Sequence, residues 1–125
     1  MGYYSDVTLA LTKAGVKALK ESLSVNFIPS NVKKEVCELL KYASKHSIDK
    51  QTGAEIWSWD SIKWYTCDPE NFPEVDFLEK FLTSIDEKEY RFMRIGENYD
   101  DVEVNGCFID NPFEMSISRQ IRMKC

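Results

Sequence analysis

No apolar run in this chain approaches the roughly 20 residues that a membrane-spanning helix requires, so no membrane attachment is expected. There is no C-x-x-C pair either. The four cysteines, Cys37, Cys67, Cys107 and Cys125, are widely spaced, whereas structural zinc draws on close pairs of Cys or His. Their scatter argues against a metal or other cofactor, and free thiols fit a reducing cytoplasm. Histidine occurs once, at His46. A nucleophile needs a base within hydrogen-bond reach, and the nearest cysteine, Cys37, sits nine residues away on the same expected helix, pointing to the other side. His46 reads instead as a solvated residue in the last turn of that helix, where a cation suits the helix dipole. No G-x-S-x-G, P-loop, G-x-G-x-x-G or H-E-x-x-H is present. The start, Met1–Asp6, lacks the basic and apolar stretches of a signal peptide, and Asp6 stands where a myristoylation signal takes Ser or Thr. These absences point to a cytoplasmic protein without a recognisable catalytic apparatus.

What is present is enough for a core. Hydrophobic residues make up 43% of the 125 positions and aromatics 13%, a composition that sets disorder aside and suits a single domain over residues 1–125. The net charge of −5 is unevenly laid out. Residues 13–50 carry eight lysines against Glu21, Glu35, Glu38 and Asp49, a local balance of +4 that leaves −9 for the remainder.

Hydrophobic spacing predicts the elements. Residues 3–11 alternate, with Val7, Leu9 and Leu11 on one face of a strand. Thr12 is placed to cap a helix over 13–23 that carries Val16, Leu19 and Leu23. A second helix is expected over 30–45 with Ser30 or Asn31 as cap, and Val32, Val36, Leu39, Leu40 and Ala43 as its apolar stripe. Residues 49–53 read as a turn. In the aromatic stretch 55–65, Trp57 and Trp59 share one parity and Ile62 and Trp64 the other. A bulge at Asp60-Ser61 explains the switch better than a hairpin, because neither residue is the Gly or Asn that a two-residue loop prefers. Pro73 suits the first turn of a third helix over 74–85. Extended segments at 89–95, 102–104 and 115–123 complete the order β-α-α-β-α-β-β-β. That order implies an α+β fold, with an antiparallel sheet of about five to six strands and helices packed on one face.

The acidic run Gly96–Gly106 is the segment that bears most on function. From Arg94 to Arg119 there is no intervening Lys or Arg, only Glu97, Asp100, Asp101, Glu103, Asp110 and Glu114. The order of oxygens does not match a calcium loop, and adjacent Asp100 and Asp101 would face opposite ways in an extended chain, which does not suit a shared proton. Two readings remain: a solvated hairpin, or a negative surface that meets a basic patch on a partner or stands in for nucleic-acid phosphates, with Tyr99 as an aromatic anchor ringed by charge. Trp57, Trp59 and Trp64 suit core packing better than base stacking, since Lys63 alone offsets Glu55, Asp60 and Asp68. The lysines of the first two helices read as a solvated face, so direct nucleic-acid binding is not expected. Arg119, in line with Met115, Ile117, Ile121 and Met123, needs a charge partner if buried, and Asp6 is one candidate.

The start Gly2-Tyr-Tyr-Ser-Asp-Val7, the Trp57–Tyr65 stretch and above all Ile95-Gly-Glu-x-Tyr-Asp-Asp101 resemble small accessory proteins of tailed bacteriophages. The resemblance implies a protein made in the bacterial cytoplasm and carries no catalytic residues with it. It implies a binding inhibitor, anti-CRISPR-like or otherwise directed at a host protein or ribonucleoprotein complex with a basic patch. The expected surface is Glu97, Tyr99, Asp100, Asp101, Glu103, Asp110 and Glu114. The competing class is a small enzyme with a site assembled from Asp6, Arg119 and the Glu97–Glu103 carboxylates. The sequence names neither the partner nor the oligomeric state.

Overall fold

A computed structural model describes residues 2–24, 28–108, 110, 112 and 113. The expected strand at 115–123, with Glu114, Arg119 and Cys125, lies outside the described residues. Strand β1 (Ser5–Leu11) leads into helix α1 (Lys13–Ser24) and helix α2 (Ser30–Lys41). Strands β2 (Lys45–Ile48) and β3 (Glu55–Ile62) form a hairpin, followed by helix α3 (Pro73–Ser84), strand β4 (Tyr90–Ile95) and strand β5 (Val102–Asn105). Among the described residues five strands form one antiparallel sheet in the order β2-β3-β1-β4-β5, with β1 at its centre. The class is α+β, as the periodicities imply.

Register puts Val7, Leu9 and Leu11 beside Trp59, Trp57 and Glu55 on one flank and beside Arg94, Phe92 and Tyr90 on the other. Because side chains alternate along a strand, these residues share a face. Their apolar members form one core with Val16, Leu19 and Leu23 of α1, Val36 of α2, and Val75, Leu78, Phe81 and Leu82 of α3. All three helices therefore cover that face. Each fully buried Leu or Phe here, such as Leu9, Leu78 and Phe92, stabilises the fold by roughly 1.5–3 kcal/mol relative to exposure. The tryptophans are core residues: Trp57, Trp59 and Trp64 are all buried. The indole N–H groups of the last two find acceptors on helices, the Leu39 carbonyl at 2.8 Å and Glu79 Oε1 at 3.0 Å.

Local chemistry explains the boundaries. Thr12 caps α1, its Oγ1 accepting from the Gly15 amide at 3.1 Å, which satisfies one of the orphan donors of the first turn. Pro73 opens α3, with Glu74 and Asp76 in its first turn. Helix α2 departs from expectation at both ends. Pro29 occupies the cap position without a side-chain hydrogen bond, so neither Ser30 nor Asn31 caps it. The helix stops at Lys41 rather than 45, because Ser44 turns to accept the Asp60 amide at 3.0 Å and residues 45–48 pair with β3. His46 is thus a strand residue, not a helical one. It stacks on Trp57 with ring centroids 4.9 Å apart, and its Nε2 lies 3.0 Å from Glu55 Oε1.

The β2–β3 turn falls on Asp49–Gly53, where Gly53 takes a positive φ of 78° and Asp49 accepts from the Thr52 amide at 3.0 Å. The bulge also sits where the parity switches. Ser5 pairs with Ile62 but Val7 with Trp59, so β3 holds one residue more than β1 over that interval. Ser61 adopts φ 53°.

Candidate functional site

Strands β4 and β5 are joined by residues 96–101, the densest part of the acidic run. The tight turn brings the Asp101 carboxylate and the Tyr3 hydroxyl against Gly96. A Cβ at position 96 would press on the Asp101 carboxylate and the Tyr3 hydroxyl, so a larger residue there would force both side chains to shift. The Gly96 amide donates to the Asp101 carbonyl at 2.8 Å, which closes the turn.

At the base of the turn stands Arg94, which the sequence reading treats only as the edge of the acidic run. Register sets it opposite Glu103. Its Nη2 and Nη1 donate to Asp101 Oδ1 at 2.8 Å and Oδ2 at 3.1 Å, a bidentate pair, and its Nε donates to Glu103 Oε1 at 3.1 Å. A further bond runs from Nη1 to the Ser5 hydroxyl at 3.1 Å. The Asp101 hydrogen bonds hold the guanidinium above its ordinary pKa against the opposing effect of burial, with Glu103 assisting. Charge-assisted bidentate bonds of this kind fix geometry as well as energy.

The N-terminal segment fastens the other side. Tyr3 donates its hydroxyl proton to Asp101 Oδ2 at 2.7 Å and accepts the Asn98 amide at 2.9 Å. The Tyr4 amide donates to Glu97 Oε2 at 2.8 Å. The expected surface therefore divides. Asp101 and Glu103 are half-buried and committed to Arg94, and Glu97 is exposed but anchors Tyr4. Tyr99 projects with 62% of its surface exposed, and Asp100 beside it is exposed. Asp110 is exposed, and Glu114 lies outside the described residues.

Of the residues proposed for an enzymatic site, Asp6 and Glu97 line one open cleft of about 340 Å³ with Tyr4, Ser61, Ile95 and Gly96. Asp6 does not stand free there, since its Oδ1 accepts the Ser61 amide at 2.9 Å and so holds the bulge. Its suggested mate Arg119 is outside the described residues. Cys37, Cys67 and Cys107 are free and exposed. Among the described residues no cluster of His, Cys, Asp or Glu has the arrangement of a metal site, and no helix is long and apolar enough to cross a membrane.

The residues that sequence reasoning missed are Arg94, Tyr3 and Tyr4. The signal for Arg94 lies in hairpin register: strands at 89–95 and 102–104 joined by a short turn set it across from an acid. Compared with known proteins, the chain matches no family model, no curated protein and no solved structure.

Proposed function

We propose that this protein is a non-enzymatic accessory protein of a bacteriophage, acting in the bacterial cytoplasm. In this reading it binds and inhibits a host protein or ribonucleoprotein complex through the acidic β4–β5 turn. The observation that carries the reading is the construction of that turn. Tyr99 and Asp100 are presented to solvent on a scaffold fastened by Arg94, Tyr3 and Tyr4. A preorganised aromatic beside fixed negative charge loses little entropy on docking, and the charge steers a basic partner over about a Debye length. The phage assignment rests on the resemblance of the Ile95–Asp101 segment and the Gly2–Val7 start.

The test begins with affinity capture from bacterial lysate and identification of what binds. Association kinetics are then measured for Tyr99→Ser and for the pair Glu97→Gln with Asp100→Asn. The three positions avoid Asp101 and Glu103, whose loss would strand Arg94. The expected result is a slower on-rate with a shallower salt dependence for the charge variant, and faster dissociation for Tyr99→Ser. Natural on-rate and affinity in both variants, across ionic strength, would remove the turn as the binding surface. The small-enzyme alternative draws support from the cleft that Asp6 and Glu97 share. It ranks second because both carboxylates are engaged with backbone amides, which is the work of structural acids.

A further inference from the structure

A cleft of about 900 Å³ runs along α1 and reaches the β2–β3 hairpin. Its walls include Val16, Gly53, Glu55 and the row Lys13, Lys17 and Lys20. The row follows from sequence spacing: positions i, i+4 and i+7 fall on one helix face, beside the stripe of Val16, Leu19 and Leu23 that enters the core. Lysines bury their stems along apolar surface and hold the ammonium groups at the rim, so the cleft has an apolar wall and a cationic edge. Two acids also line it. Glu55 is buried and already meets His46 Nε2 at 3.0 Å, while Glu21 stands exposed on α1. None of the three lysines has an ion-pair partner among the described residues.

The complement to this cleft is on the same molecule, at the other end of the sheet. Leu11 pairs with Glu55 where the cleft begins, whereas Asp6 pairs with Ile95 where the acidic turn begins. The five intervening steps of β1 separate the two by about 17 Å at ~3.3 Å per residue. One copy therefore does not seat its own turn in its own cleft.

We propose that the lysine-rimmed cleft receives the acidic turn of a second copy. Tyr99 sits against the apolar wall, and Asp100 and Glu97 meet Lys13, Lys17 and Lys20. The contact is heterologous, using different patches on the two copies, so it builds head-to-tail chains or rings rather than a two-fold dimer. A single turn in a cleft falls well short of the roughly 800 Å² that each partner of a stable complex buries. The association is accordingly weak, dependent on concentration and screened by salt. It rests on the reading of the turn as a recognition surface, and it makes self-association a competitor of partner binding.

Sedimentation velocity on the full chain tests it. At low salt the average sedimentation coefficient should rise with concentration, and in about 0.5 M salt, where the Debye length falls to a few ångströms, it should return to that of a monomer. Lys17→Glu alone and Asp100→Lys alone should each abolish the rise. An equimolar mixture of the two should restore pairwise association, because the natural turn of the Lys17→Glu chain still meets the natural cleft of the Asp100→Lys chain. Both positions are exposed, and thermal melts check that each variant is folded. Tyr99→Ser gives an uncharged control that should also weaken assembly. A chain that stays monomeric at low salt, single variants that assemble like the natural chain, or a mixture that fails to associate would each overturn the inference. If Asp100→Lys loses the captured host partner while the natural chain never self-associates, only this inference falls. If turn variants keep the host partner, the reading under it falls as well.

Discussion

At Arg94 one guanidinium meets two carboxylates and a hydroxyl while its side chain stays only 16% exposed. In linear order Arg94 reads as the border of a carboxylate run. Antiparallel register turns it into the centre of that run's charge balance, which composition and local spacing do not reveal. Replacing it by Met would leave Asp101 and Glu103 close together without their cation. We expect Arg94→Met to cost about 2 kcal/mol, the scale of hydrogen bonds to charged groups, in denaturant unfolding with an unchanged m-value. Stability within about 0.5 kcal/mol of the natural chain, the range of an ordinary surface substitution, would show that the cluster contributes little. Glu79 gives a pH-dependent counterpart. Burial raises its carboxyl above the ordinary value of 4.5, and the Trp64 hydrogen bond opposes the shift without cancelling it. A raised acid means that the folded state takes up the proton more readily than the unfolded one. Its ionisation then costs stability as pH climbs through the folded value, and the cost is absent below the unfolded value. Glu79→Gln keeps an acceptor for Trp64 and cannot ionise. Thermal melts should find it more stable than the natural chain near neutral pH and equal to it in acid below 4.5. A difference that does not change with pH would mean that the titration of Glu79 is not its cause.

Among the elements, the β3 bulge has an identifiable support. The extra residue puts Ser61 in the left-handed region that a non-glycine residue occupies at some cost, and the Asp6 carboxylate accepts its amide at 2.9 Å. Asp6→Ala should cost about 1 kcal/mol, one modest hydrogen bond, and speed hydrogen exchange at the Ser61 amide. An amide protected as in the natural chain would show that Asp6 does not hold the bulge. The bulge was legible from the parity of Trp57, Trp59, Ile62 and Trp64, because side-chain period reports directly on which face a strand buries. Helices α1 and α3 and strand β4 were legible for the same reason, each carrying an unbroken apolar period. Strand β2 was not. Its four residues are all exposed, so burial imposes no pattern on them, and the apolar stripe of α2 runs on to Ala43 as if the helix continued. Only pairing with β3 decides the matter, and pairing is a property of the partner strand. The placement of His46 failed with it. At the acidic turn side-chain spacing could not separate Asp101 and Glu103, which face Arg94, from Tyr99 and Asp100, which face solvent.

On the scale of the whole molecule, the sheet order places β1 between two strands that are synthesised after it. Strand β1 is paired on one side by β3 and on the other by β4, and Ser5 and Arg94, which touch, are 89 positions apart. On a ribosome β1 therefore emerges with both hydrogen-bonding edges bare, gains its first neighbour only when Glu55–Ile62 has appeared, and its second only after Tyr90–Ile95. Until then its buried side chains Val7, Leu9 and Leu11 lack half of their neighbours, the condition in which nascent strands are most prone to pair with the wrong chain. Asp6 on that strand, and the Lys13 that follows it, leave charge beside the apolar stretch, the kind of flanking residue that discourages such pairing. Any shortened product of this chain that ends before β4 carries the centre of the sheet as an open edge.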